Sequence, residues 1–189
     1  MPIDHFSVIA GLYNKLARSK PSPRLLNLLS LSPDHLLLDA GGGTGNFASA
    51  IRGMVKEVVV ADSAHAMLLH ATSKGLDTVC TPVEDLPFSS NTFNCIIMMD
   101  TLHHVLNQQK TINELWRVLT SGGHLVIVEP DIHKFPVKII AIIEKILLMR
   151  SHFIDDRKIT LILSDLFTNI QVLKNKANIW VTAEKEREL

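Results

Sequence analysis

Charge of one sign is what this 189-residue chain most plainly lacks: 19 lysines and arginines stand against 19 aspartates and glutamates. No sequence-wide positive field is available to hold a phosphate backbone or an anionic membrane, so nucleic acid is not expected as a partner. Cysteine is nearly absent too. Only Cys80 and Cys95 offer redox chemistry, and the opening MPIDHFSVIA has neither the basic segment nor the long apolar core of a secretory signal. Reduced cysteines and a cytoplasmic address are the expectation. Long hydrophobic runs are missing as well. The longest, VKIIAIIEKILL from Val137 to Leu148, is broken by Lys138, Glu144 and Lys145 and is too short and charged to span a bilayer. Neither repeats nor a linker-like tract divide the chain.

What is present is a 47% hydrophobic composition, enough for one sizeable core, and a single domain over residues 1–189 is expected. Apolar, β-rich runs recur at Leu36–Leu38, Val58–Ala61, Thr78–Cys80, Ile96–Met99 and Leu125–Val128, with helix-like segments between them. Continuous rather than alternating runs read as strands buried on both faces, hence an α/β parallel sheet between helical layers. IRGMVK, AMLLHATSKG and TINELWRVLTSGG supply the intervening helices, the last ending at Gly122 and Gly123. Two helices are expected ahead of the sheet within residues 1–33, and residues 36–129 form the core. The remainder, 130–189, holds an apolar helix over Val137–Arg150 and a hairpin, NIQVLK and NIWVTAEK, turning around Lys174 to Lys176.

The stretch LLLDAGGGTGNFA, Leu36 to Ala48, is a strand running into a glycine-rich turn that opens a helix. Bare backbone permits close approach of a nucleotide-like ligand. GTGNFA also fits a dinucleotide fingerprint, with Asp62 where a ribose would be held. Asp39 argues otherwise, because a carboxylate there repels a pyrophosphate and attracts a cation.

These residues resemble the first motif of class I S-adenosylmethionine-dependent methyltransferases, with Asp39, Gly41, Gly43 and Gly45 at the D-x-G-x-G-x-G positions. VVVADSAHAML is similar to the family's second-strand motif, VEDLPFSSNTFNCIIMMDTLHHV to its third- and fourth-strand segment, and LWRVLTSGGHLVIVEP to its helix and fifth strand. FSVIAGLYNKLA and NIWVTAEK resemble the leading helix and last strand of the small-molecule, quinone-biosynthesis-like branch. The resemblance implies a Rossmann-like three-layer sandwich, a seven-stranded mostly parallel sheet of order 3-2-1-4-5-7-6 with the seventh strand antiparallel, and S-adenosyl-L-methionine as cofactor. It further implies that Asp39 faces the methionine ammonium, that Gly41, Gly43 and Gly45 admit the cofactor, and that Asp62 accepts the ribose hydroxyls. Ser63 and Met67 would border the adenine and Tyr13 would close over the methionine part. Two departures stand out. Pro82 occupies the place of the acid that often meets the adenine amino group, which leaves the Val83 N–H and the Glu84 or Asp85 side chains for that work. Asn94 replaces the usual aspartate before the fourth strand, with a structural effect expected.

Ligands in such a sheet gather beyond the carboxyl ends of the strands, which brings Asp100, His103 and His104 together with Glu129, Asp131 and His133. In-line methyl transfer depends mainly on alignment, and a histidine is needed only if the acceptor carries a proton to remove. His103 or His104 is the candidate base, with Asp100 a further catalytic candidate or merely a helix N-cap. Adjacent helical residues diverge by about 100°, so a metal shared by both histidines is not expected. The reading is methyl transfer to a small-molecule acceptor, a lipophilic one if the apolar helix serves as its lid, with a homodimer left open. A non-catalytic cofactor- or partner-binding module and a nicotinamide-dependent reductase are the rivals.

Overall fold

The computed structural model describes residues 21–134, 152–175 and 178–187. Helix α1, Pro23–Leu29, starts where Ser22 accepts the Leu25 N–H on its side chain, with proline at the first helical position. Strand β1, Leu36–Ala40, leads to the short helix α2, Asn46–Ile51, a 3₁₀ turn at Arg52–Met54, and β2, Glu57–Asp62. Helix α3, His65–Ser73, then β3, Asp77–Cys80, and β4, Phe93–Met99, complete the first half. Helix α4, Gln108–Val118, leads into β5, Leu119–Pro130. Helix α5, Asp156–Leu163, precedes the hairpin of β6, Thr168–Asn175, and β7, Asn178–Glu184.

The strands form one sheet in the order β3-β2-β1-β4-β5-β7-β6. β1 to β5 pair in parallel, while β7 lies antiparallel to both β5 and β6. This is the order expected from the resemblance. Because side chains alternate across a strand, Leu37 joins the apolar layer under α1, α2 and α3, while Leu38 joins the opposite one under α4 and α5. Both faces of the sheet's centre are covered, which is why β1, β4 and the apolar parts of β2 and β5 read as unbroken apolar runs.

Three local expectations need correction. Gly122 and Gly123 do not end a helix. Helix α4 stops at Val118, and both glycines lie inside β5, where Gly122 adopts φ 75°. The register against β4 jumps from Phe93↔Leu119 to Cys95↔His124, so the extra residues form a bulge that only compact residues can make: a Cβ on Gly123 would stand 2.8 Å from Leu119 Cδ1. Secondly, the helix after β1 begins at Asn46, earlier than IRGMVK implies. Thirdly, residues 101–106 form turns rather than a helix, so Asp100 is not an N-cap; Asn107 caps α4 instead, accepting the Lys110 N–H at 2.9 Å. Helix α5 is an addition to the expected elements, capped in the usual way by Asp155. The expected leading helix with Tyr13 and the apolar helix over 137–150 lie outside the described residues.

Candidate functional site

The site is built where β1, β2, β4 and β5 end. The glycine turn after β1 is held by contacts from three directions: Gly41 N–H donates to Ala61 O at 2.7 Å, Gly43 N–H to Asp62 Oδ2 at 2.9 Å, and Lys74 Nζ to Thr44 O and Asn46 Oδ1 at 2.5 and 2.7 Å. The glycines divide the work. A Cβ on Gly41 would fall 2.2 Å from Thr101 Cγ2, one on Gly42 2.5 Å from Asp39 Cγ, and one on Gly45 2.5 Å from Leu76 Cδ1. Those three let protein pack against protein. At Gly43, φ 52°, a Cβ would meet only Asp62 Oδ2, at 3.8 Å, so this residue leaves the open face of the turn bare.

Under the turn lies Asp39, 1% exposed, and its Oδ2 has no hydrogen-bond partner among the described residues. Burial and the neighbouring Asp62 charge push its pKa up to about 7, opposed by the Ala48 N–H. A buried carboxylate oxygen without a donor is costly unless a cation meets it. Asp62 is differently employed: Oδ2 takes the Gly43 N–H and Oδ1 the Ala64 N–H at 2.8 Å. It therefore orders the turn, and a carboxylate oxygen can accept more than one hydrogen bond.

Past β2, Ser63 is exposed, and Met67 packs with Ala64 in a small apolar cluster separate from both layers. Val83 is buried in the α4 layer, next in sequence to Pro82. Glu84 Oε1 accepts the Leu106 N–H at 2.7 Å, so its carboxylate is committed to the following turn. Asp85 raises the Arg117 pKa after the larger effects of Glu114. Asn94 Oδ1 accepts the Leu36 N–H at the start of β1, the structural role expected of it.

At the ends of β4 and β5 the chain turns sharply, Asp100 taking φ 49°. Glu129, 1% exposed, organises the turn beyond Asp100: Oε1 accepts the N–H groups of Thr101 and Leu102 at 3.0 and 2.7 Å, and Oε2 lies 2.5 Å from His103 Nδ1. His103 is 2% exposed, stacked at 15° on Phe153 with centroids 4.5 Å apart and tilted against His104 at 3.9 Å. Burial and the adjacent His103 drive the His104 pKa down to about 3. His104 is thus a neutral, weakly basic imidazole. Asp131, 2% exposed, accepts the His133 N–H, and His133 itself is exposed. No group of three or more metal-ligating side chains occurs among the described residues.

Thr101, Lys74 and the Glu129–His103 pair are the structural members that sequence reasoning missed or underweighted. Thr101 Oγ1 shares its one proton between Met99 O at 2.8 Å and Gly41 O at 3.1 Å, the second contact linking the histidine turn to the glycine turn. The small residue opposite Gly41 is the one available signal, and only the sheet order pairs them.

Residues 38–127 match a family model described as a methyltransferase domain. The ubiquinone/menaquinone biosynthesis C-methyltransferase of Haemophilus ducreyi is 35% identical over 104 residues, 49% of this chain and 40% of that protein. Its counterpart from Pasteurella multocida is 35% identical over 106 residues, covering 50% and 40%. The chain thus spans about two-fifths of the length of these curated relatives. In fold, an S-adenosylmethionine-dependent methyltransferase from Thermotoga maritima superposes with a TM-score of 0.77 at 18% identity, covering 96% of this chain and 98% of that one.

Proposed function

Because residues 38–127 match a methyltransferase-domain model and the fold is that of an S-adenosylmethionine-dependent methyltransferase, we propose that the chain is a class I S-adenosylmethionine-dependent methyltransferase that transfers a methyl group to a small-molecule acceptor. The observation that carries this reading is Asp39 Oδ2, buried and without a donor among the described residues, beneath a turn whose bare face is at Gly43. That arrangement fits S-adenosylmethionine: Asp39 would meet the α-ammonium, Gly43 would admit the backbone-close part, and Asp62, whose oxygens can each accept more than one bond, would accept the ribose hydroxyls. Ala64 and Met67 form an apolar seat for the adenine, Ser63 borders it, and the Val83 N–H is the backbone donor nearest in sequence. The commitment of Glu84 to Leu106 N–H weighs against its reading the adenine, and leaves Asp85 as the remaining acid there.

When bound, the cofactor supplies a methyl group on a cationic sulfur, so the chain's contribution is mainly to align the acceptor and exclude water. His104, held neutral and far below the usual histidine range, suits packing or hydrogen bonding better than proton removal. The relatives' names favour carbon as the acceptor atom. A lipophilic acceptor and a dimer rest on the apolar character of residues 137–148 alone. No helix among the described residues is long and apolar enough to cross a membrane.

Calorimetric titration of the full chain with S-adenosylhomocysteine tests the reading, with Asp62→Ala beside it. Saturable binding is expected, weakened roughly tenfold to a hundredfold by the substitution, since bonds to charged groups contribute about 1.5–3 kcal/mol each. Absence of binding at millimolar ligand rejects the proposal, and binding of reduced nicotinamide dinucleotide in its place would establish the reductase alternative.

A further inference from the structure

The Glu84 side chain leaves its own turn for a neighbouring one. Residues 82–85 form a tight turn closed by Asp85 N–H on Pro82 O at 3.0 Å, and the preceding Thr81 N–H donates to Asp62 O at 3.0 Å. That turn carries Val83, the backbone donor assigned to the adenine above. From it, Glu84 Oε1 accepts the N–H groups of Leu106 and Asn107 at 2.7 and 3.4 Å, where the histidine turn passes into α4. Val83 and Val105 share one apolar layer, which brings the two turns together, but apolar contact is non-directional and does not fix their relative position. Leu106 is 76% exposed, so packing does not hold it either. The charge-assisted bonds to Glu84 do. They also close a ring. Gly43 N–H is held by Asp62 Oδ2, Asp62 O by Thr81 N–H, the histidine turn by Glu84, and Thr101 Oγ1 lies 3.1 Å from Gly41 O. The glycine turn, the Pro82–Asp85 turn and the histidine turn are thus linked in a circuit around the ends of β1 to β4.

We propose that Glu84 is a positioning residue that carries cofactor occupancy from the adenine end of the site to the histidine turn. The inference rests on the cofactor reading above. A cofactor bonded to Val83 N–H and Asp62 restrains the Pro82–Asp85 turn, and Glu84 passes that restraint to the Leu106 and Asn107 N–H groups. The histidine turn, on the acceptor side in this reading, is then set by whether the cofactor is in place. Coupling between two positions is reciprocal, so loss of the bridge weakens cofactor binding although Glu84 does not touch the cofactor. What the bridge requires is an oxygen acceptor at Oε1, which glutamine retains and alanine does not.

The test follows Leu106 by methyl NMR in the full chain labelled with ¹³C-methyl leucine, its signals assigned by their loss in Leu106→Met, during titration with S-adenosylhomocysteine. In the unmodified chain, saturation should shift the Leu106 methyl signals. Glu84→Ala should abolish that shift and weaken binding about fivefold or more, while Glu84→Gln should keep the shift and bind within about twofold of the original. Asn107→Ala removes the α4 cap but not the backbone N–H that Glu84 holds, so it should behave as the unmodified chain does, which separates the bridge from mere helix stability. A Leu106 shift that persists in Glu84→Ala, its loss in Glu84→Gln, or an equal loss in Asn107→Ala overturns the proposal. Binding without any Leu106 shift in the unmodified chain overturns the coupling alone. Absence of S-adenosylhomocysteine binding by that chain overturns the functional reading and the coupling with it.

Discussion

Asp39 concentrates the cost and the use of the site in one carboxyl group. Its folded pKa of about 7 stands above the ordinary 3.8, chiefly through burial and then through Asp62. A raised pKa means that the folded chain holds the proton more tightly than the unfolded one. Asp39 therefore contributes stability that is complete below about pH 4 and is lost as pH rises through about 7, at up to ~1.4 kcal/mol per pH unit. A cationic ligand reverses that slope, because it needs the ionised form. S-adenosylhomocysteine affinity should accordingly rise between about pH 6 and pH 8. Asp39→Asn should bind roughly tenfold to a hundredfold more weakly with a flatter profile, while its unliganded form gains thermal stability at pH 8. Calorimetry and melting curves at the two pH values check both halves; equal pH profiles for the two proteins would remove Asp39 from the site.

Segments show where sequence patterns suffice and where they stop. Of the five parallel strands, β1, β2, β4 and β5 are legible because they are buried on both faces and read as apolar runs, while β3 is a short edge strand without a buried residue; Leu37 and Leu38, adjacent but serving opposite layers, show why no alternation appears. Asp39 and the glycine turn are legible because turn chemistry is local. Residues 101–106 are not, since their backbone is satisfied by side chains distant in sequence: Thr101 and Leu102 by Glu129, Leu106 and Asn107 by Glu84. Those external acceptors, with the left-handed Asp100, hold open a stretch that its composition would wind into helix. Helix α4 consequently starts late, and its start depends on Asn107. Asn107→Ala should cost about 1 kcal/mol in denaturant unfolding without altering S-adenosylhomocysteine affinity. A change in affinity larger than the change in stability would mean that the turn is part of the binding surface.

The segment after β7 is joined to the middle of the chain by a buried ammonium. Lys185 is 4% exposed; its Nζ donates to Asn91 Oδ1, Trp116 O and Leu119 O at 2.7, 3.0 and 2.9 Å and lies 4.0 Å over the Trp116 ring. It thereby pins the residues after β7 to the end of α4 and the turn before β4, at the opposite end of the strands from the candidate site. Lys185→Met keeps the stem but leaves three acceptors without their donor, and about 2–4 kcal/mol of unfolding free energy should be lost. If melting temperature is unchanged, the acceptors have found other donors and the pin is dispensable.

Cofactor binding should act on the whole molecule in the opposite direction. A ligand that binds only the folded state stabilises it by RT ln(1 + [L]/Kd), about 2.7 kcal/mol at a hundredfold excess over Kd. For a domain of this size each kcal/mol raises the melting temperature by roughly 2–4 °C, so S-adenosylhomocysteine should raise it by roughly 5–10 °C. The turn after β1, α3 through Lys74, and β4 and β5 through Thr101 and Glu129 are bonded to one another. The gain should therefore appear as one cooperative transition moved upward, not as a second transition. Lys185→Met should start lower and rise by a similar interval, because its pin lies away from the ligand, whereas Asp39→Asn should rise far less at equal ligand concentration. A shift that Asp39→Asn retains in full would show that the ligand stabilises the chain from somewhere other than the turn over β1.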